Sequence, residues 1–214
     1  MNQVNTIETN PKLSSGSEQI ITFPNVLTIV RIVLTPVFLV LIFSQVWFNK
    51  ILALIVFTIA SLTDLYDGKI ARRDGTITAF GRFMDPLADK LLVSSALISF
   101  VMLGIVEAWL VAAMLIRDAA ITGFRVFSIR KGKEVVTSRL AKWKTMLQLV
   151  LVFGILVFMN IRVIQAELTS SPLELTGVWS HLLLNSLVAG VTLFAVISGV
   201  HYLITNRRST AETG

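Results

Sequence analysis

The chain has 214 residues, of which 54% are hydrophobic and 15% charged, with a mean hydropathy of +0.76, a formal net charge of +6 and no cysteine. A soluble domain carries about 25% charged residues, so an ordinary water-soluble globule is excluded, and the missing thiols exclude disulfides, thiolate nucleophiles and zinc–sulfur sites. The positive charge does not point to a nucleic-acid partner, because the cations collect in particular connections between apolar runs, a pattern of membrane topology and anionic ligands.

Residues 1–22 are polar and lack the basic opening and short apolar run of a signal peptide; a flexible or interfacial segment is expected. Apolar spans then recur at roughly 26–44, 50–72, 86–105, 108–129, 140–161 and 180–203, each near the ~20 residues that cross a bilayer. Asn25 is the expected N-cap of the first. Short turns follow the first and third spans, and the Ser, Pro and Gly of 165–177 mark an exposed loop between the fifth and sixth. The expected fold is an all-α membrane protein, a bundle of about six transmembrane helices in one domain over 23–205, with a short tail at 206–214.

Charge orients this bundle. Lys69, Arg72, Arg73 and Arg82 lie between the second and third spans. Arg130, Lys131, Lys133, Arg139, Lys142 and Lys144 lie between the fourth and fifth, and Arg207 and Arg208 follow the sixth. The opposite connections hold Lys50 and Arg162 with Glu107, Glu167 and Glu174. The positive-inside rule then puts both termini and the two basic connections in the cytoplasm. Trp47, Trp109 and Trp179 fall near span ends, as an interfacial aromatic belt would have them.

The segment Thr63–Lys90 concentrates carboxylates on that same cytoplasmic side. At about 100° per residue, Asp64, Asp67, Gly68 and Ala71 share one helical face. Gly81, Asp85 and Asp89 share another if their helix reaches back that far; Pro86 fits a first turn better than an interior, so the helix start is left open. Four converging carboxylates repel one another unless neutralised. With no His or Cys beside them, the fitting counter-charge is a hard divalent cation, and two such ions form the usual clamp for in-line displacement at phosphorus. Gly68, Ala71 and Gly81 leave room for a bulky anionic ligand, while Arg72 and Arg73 supply phosphate donors. Asp74 is expected to be a turn residue.

The pattern Asp64-x2-Asp67-Gly68-x2-Ala71-Arg72-x8-Gly81-x3-Asp85-x3-Asp89 resembles the signature of the CDP-alcohol phosphatidyltransferases. The resemblance implies six transmembrane helices, usually in a homodimer, and two Mg²⁺ or Mn²⁺ ions per active site. It implies transfer of a phosphatidyl group from CDP-diacylglycerol to an alcohol, with release of CMP. Asp64, Asp67 and Asp85 would be metal ligands, and Asp89 both a metal neighbour and the base for the acceptor hydroxyl. Asp64, Asp67, Gly68, Ala71, Arg72 and Gly81 would form the CDP-diacylglycerol site. The implied location is a bacterial inner membrane, with the active site facing the cytoplasm.

A second cluster bears on the acceptor. Arg117 and Arg125 are eight residues apart on nearly one helical face, and Arg139, Lys142 and Lys144 follow. Ionisable residues within a span are functional candidates by default, and cations around one cavity suit an acceptor that carries its own phosphate. Arg117, Arg125, Lys142 and Lys144 are the candidates for that phosphate, with Lys131 and Lys133 as topological anchors. Asp118 is expected to pair with a basic residue of another helix. The pattern Arg117-Asp118…Thr122-Gly123-x-Arg125…Lys142-x-Lys144-Thr145, with Pro24–Arg31, resembles the bacterial phosphatidylglycerophosphate synthases within that family, although Asp118 stands where they commonly have Glu. The implied acceptor is sn-glycerol 3-phosphate. Siblings using phosphatidylglycerol, inositol phosphate or serine are the alternative. An intramembrane prenyltransferase would space its aspartates differently, and an ion path would spread carboxylates over several helices at the bilayer midplane. His181 and His201 are isolated, which favours packing or interface roles over metal ligation.

Overall fold

In the computed structural model the described backbone comprises residues 23–74, 79–130, 139–169 and 178–211, and side chains are described for 26–63, 88, 90–124, 143–168 and 179–202. Six helices account for nearly all of it: α1 Phe23–Phe43, α2 Trp47–Asp74, α3 Ala79–Met102, α4 Ala108–Arg130, α5 Arg139–Thr169 and α6 Val178–Ala211. No strand occurs among the described residues. The expected polar segment 1–22 and the anchors Lys131 and Lys133 lie outside them.

Each helix follows an apolar run, but two ends differ from expectation, and the start of α3, left open by the sequence, is decided. α1 begins at Phe23, so Asn25 lies inside its first turn and is not the N-cap. Pro24 is compatible with that start, since a first-turn residue has no intrahelical use for its N–H. α3 begins at Ala79, so Pro86 sits within the helix and does not mark its start. α5 continues to Thr169, so Gln165–Thr169 is helical and not loop. Gln, Ala, Glu and Leu there are all good helix formers, and propensity outweighs their polarity.

The turn after α3 has a definite geometry. Gly104 adopts φ +69°. The Gly104 N–H donates to the Val101 carbonyl and the Ile105 N–H to the Phe100 carbonyl, both at 2.9 Å. This is a Schellman closure, which needs a left-handed residue at the position Gly104 occupies. α3 therefore stops sharply and α4 returns beside it.

α1 packs on α2 and α3, α6 packs on α4 and α5, and contacts of α2 with α5 and of α3 with α4 and α5 join the two groups. The core between them holds Phe38, Phe57, Leu97, Phe100, Met114 and Leu156, all fully buried. Phe38 and Phe57 lock α1 to α2, their rings tilted 51° with centroids 5.8 Å apart, a favourable aromatic geometry.

The outside of the bundle is apolar as well. Val26, Val30, Val33, Val37 and Val40 form an outward stripe on α1, and Leu183, Leu187, Val196 and Val200 lie outward on α6. Helices apolar on both faces suit a lipid surround. Among the described residues, Val26–Phe43, Trp143–Leu168 and Trp179–Tyr202 are long and apolar enough to cross a membrane, with shorter apolar stretches at Trp47–Thr63 and Lys90–Met102. The apolar run of α4 is interrupted by Arg117 and Asp118. Trp47, Trp109, Trp143 and Trp179 all lie exposed near the first residues of their helices, as an interfacial belt requires. The described elements are thus all helices, and their apolar faces suit a membrane protein.

Phe57→Ala is expected to lower stability by about 3–5 kcal/mol, whereas Val40→Ala on the outward face should change it by less than ~0.5 kcal/mol. Unfolding in detergent micelles compares the two, and equal losses would contradict a core centred on the α1–α2 contact.

Candidate active site

The chain brings its two aspartate pairs to one end of the bundle. α2 ends at Asp74 and α3 begins at Ala79, so the last turns of one helix adjoin the first turns of the next. Asp64 and Asp67 occupy the former, Asp85 and Asp89 the latter. Because α3 starts at Ala79, Gly81, Asp85 and Asp89 stand at i, i+4 and i+8 of one continuous helix. Asp74, expected in a turn, is the last residue of α2. The side chains of Asp64, Asp67, Ala71, Arg72, Asp85 and Asp89, and the surroundings of Gly68 and Gly81, lie outside the described residues. So do the side chains of Arg125 on α4 and Lys142 on α5. Among the described residues no three His, Asp or Glu side chains come together as a metal-holding group.

The other two acceptor candidates are described, and the structure brings them together. Arg117 projects from α4 and Lys144 from α5. Lys144 Nζ donates to both carboxylate oxygens of Asp118. Arg117 donates from NH1 to Asp118 Oδ1 at 3.1 Å. One carboxylate thus serves two cations, and Lys144 is only 4% exposed. The expected pairing of Asp118 with a cation of another helix is what the structure contains.

Arg117 is also tied to α6. Its Nε donates to the Ala195 carbonyl and its NH2 to Ser198 Oγ, each at 2.8 Å. Ser198 is buried and donates in turn to the Ala195 carbonyl at 2.9 Å. One turn further along α4, Thr122 donates to the Asp118 carbonyl at 2.8 Å and accepts from Lys90 of α3. The network therefore crosses α3, α4, α5 and α6. Lys90 directly follows Asp89 in the chain, so the network begins where the aspartate segment ends.

Several members carried little signal in the sequence. Ser198 and Ala195 are ordinary residues of an apolar helix. Lys90 lay at the edge of the carboxylate segment without a role of its own. Arg31 is fully buried on α1; its charge inside an apolar span is the signal that marks it in the sequence. His181, by contrast, keeps to an interfacial setting, with Nε2 3.8 Å from Glu107 at the opposite end of the bundle.

A buried lysine and a half-buried arginine sharing one carboxylate leave a net positive charge within that trio. In a low-dielectric interior such charge is costly alone and attractive to an anion. A phosphate dianion, with oxygens enough for guanidinium and ammonium donors, is the complementary ligand.

Comparison with known proteins gives the family. A family model described as CDP-alcohol phosphatidyltransferase matches residues 21–184. The chain belongs to the CDP-alcohol phosphatidyltransferase family. It is 33% identical over 195 residues to the CDP-diacylglycerol–glycerol-3-phosphate 3-phosphatidyltransferase of Bacillus subtilis, covering 86% of this chain and 94% of that protein. It is 34% identical over 192 residues to a probable phosphatidylglycerophosphate synthase of Mycobacterium tuberculosis, covering 88% and 83%. The Escherichia coli CDP-diacylglycerol–glycerol-3-phosphate 3-phosphatidyltransferase is 35% identical over 133 residues, covering 59% and 72%. The family match takes in both aspartate pairs and the Arg117–Asp118–Lys144 trio. It ends before Ala195 and Ser198.

Removing the shared carboxylate leaves buried Lys144 and half-buried Arg117 without it. Asp118→Ala is expected to destabilise this transferase by about 3–5 kcal/mol. Adding Lys144→Met, which removes one charge while keeping volume, should recover part of the loss. Unfolding in detergent micelles tests this. A neutral Asp118→Ala would mean that the pair does not hold α4 to α5.

Proposed function

We propose that the protein transfers the phosphatidyl group of CDP-diacylglycerol to sn-glycerol 3-phosphate, giving phosphatidylglycerol phosphate and CMP in phospholipid biosynthesis. The names of relatives matched over most of the chain support this reading. The observation that carries the acceptor choice is the pair of cations, half-buried Arg117 and buried Lys144, sharing Asp118 beside the helices that bear the aspartates. An acceptor carrying its own phosphate suits that site better than a neutral alcohol does.

In this reading all six helices span the membrane of a bacterial cell, its inner membrane, as a homodimer. Both termini and the α2–α3 and α4–α5 connections face the cytoplasm. The cationic residues that cluster at those connections support that orientation.

Asp64, Asp67, Asp85 and Asp89 would hold two Mg²⁺ or Mn²⁺ ions, since the donor set is all carboxylate and both pairs belong to adjoining helix ends. When bound, such ions neutralise a diphosphate and stabilise a phosphate leaving group. Gly68, Ala71 and Gly81 make room for CDP, and Arg72 donates to its phosphates. Arg117, Arg125, Lys142 and Lys144 hold the phosphate of the acceptor and so fix its hydroxyl for in-line attack. Asp89 takes the hydroxyl proton as the acceptor oxygen bonds to the phosphatidyl phosphorus. The bond from that phosphorus to the bridging oxygen breaks, and CMP departs with the oxygen. The acyl chains remain in lipid throughout.

Purified protein with CDP-diacylglycerol should release CMP with glycerol 3-phosphate and not with phosphatidylglycerol, inositol phosphate or serine. Another acceptor working in its place would replace the substrate assignment with a sibling activity. A chelator should stop the reaction and Mg²⁺ or Mn²⁺ restore it; full CMP release in metal-free buffer would rule out the two-ion site. Asp89→Asn should lower turnover by about 10²–10⁴-fold, the usual range for a general base, with little change in CDP-diacylglycerol binding. Near-normal turnover would remove Asp89 from the base role.

A further inference from the structure

α6 enters the acceptor site partly through a side chain it does not have. Gly199 is buried, and a Cβ placed on it would stand 2.8 Å from Arg117 Nε, 3.4 Å from its Cγ and 3.5 Å from its Cζ. Carbon cannot approach that closely without displacing the guanidinium. The guanidinium is not free to swing away, because Nε, NH1 and NH2 are each engaged, by the Ala195 carbonyl, Asp118 and Ser198. At Gly123, Gly154 and Gly190 the same added carbon meets nothing within 4 Å. Among the described glycines, crowding by a neighbouring side chain is therefore local to position 199.

Ala195, Ser198 and Gly199 stand at i, i+3 and i+4, on one face of α6. Together they form a cradle: a carbonyl that accepts from Nε, a hydroxyl that accepts from NH2, and a gap in which the planar group lies against the helix. This face lies beyond residues 21–184, where the family match ends. A guanidinium has five N–H bonds. The three contacts use three, which leaves two for an anion among the described residues.

We propose that Gly199 and Ser198 are positioning residues for the acceptor site, setting the depth and rotation of Arg117 so that its remaining donors and Lys144 face one phosphate group. The proposal rests on the reading of Arg117 as an acceptor-phosphate cation. It adds a determinant of acceptor affinity on a helix that carries none of the family motif. Bulk at position 199 pushes the guanidinium off α6 and weakens phosphate binding without touching the CDP-diacylglycerol site.

The test compares KM for glycerol 3-phosphate with KM for CDP-diacylglycerol, using the full chain in mixed micelles. Gly199→Ala should raise the first about tenfold, the scale of a lost charge-assisted hydrogen bond, and leave the second within about twofold. Ser198→Ala, which adds no bulk, should raise the first by about threefold, the scale of a weaker bond. Gly190→Ala, on the same helix in open space, should change neither. Arg117→Ala should raise the acceptor KM further, and Gly199→Ala added to it should have no additional effect, because the two act through one contact.

If Arg117→Ala leaves the acceptor KM unchanged, the reading of Arg117 fails and the proposal with it. If Arg117→Ala raises that KM but Gly199→Ala and Ser198→Ala do not, the positioning role alone is overturned. Equal rises in both KM values for Gly199→Ala, with Ser198→Ala silent, would also overturn it in favour of simple helix packing. Should Gly199→Ala not fold, Ser198→Ala decides: a selective rise supports the cradle, and none overturns it.

Discussion

One carboxylate between two cations, inside a bundle with apolar residues on both faces, governs the site end of this protein. Charges placed there cannot rely on water, so each needs a partner on a neighbouring helix. Asp118 meets that need for Arg117 on its own helix and for Lys144 on α5. Arg117 then reaches α6 through Ala195 and Ser198, and Thr122 reaches α3 through Lys90. Helices that elsewhere meet through interchangeable apolar contacts are thereby held in one register. That register puts a positively charged polar centre beside the helix ends of α2 and α3 that carry the aspartates in sequence.

The same arrangement reconciles two demands that oppose each other. A lipid-linked diphosphate needs an apolar surround for its acyl chains, and the outward Val and Leu stripes supply one. Phosphoryl transfer needs concentrated charge of both signs, which such a surround resists. Short connections and antiparallel neighbours resolve this by gathering the charged residues at one end. The opposite connections carry fewer charges, Lys50, Glu107, Arg162, Glu167 and Glu174, with His181 nearby.

Much of the fold was legible because apolar runs of bilayer length leave few alternatives to helices. The open and misjudged ends have particular causes. Pro86 left the start of α3 open, because the cost of an interior proline is usually decisive, and α3 absorbs it. Gln165–Thr169 looked like loop because polarity was weighed above helix propensity. The aspartate spacing was legible because carboxylates in an oily chain are rare enough to need a reason, and Asp118 was recognised as half of an ion pair. The α6 cradle was not legible. Gly, Ser and Ala in a membrane helix are common packing residues, and what separates Gly199 from Gly190 is its burial against the Arg117 guanidinium.

The central claim is that the buried ionic centre and the acceptor-phosphate site are one place. Steady-state kinetics of Lys144→Ala in mixed micelles, with each substrate varied in turn, test this most directly. The account predicts a rise in KM for glycerol 3-phosphate of at least about tenfold, as expected when a charged contact to a bound phosphate is lost, with KM for CDP-diacylglycerol nearly unchanged. A variant with the normal acceptor KM, or one impaired only toward CDP-diacylglycerol, would contradict it.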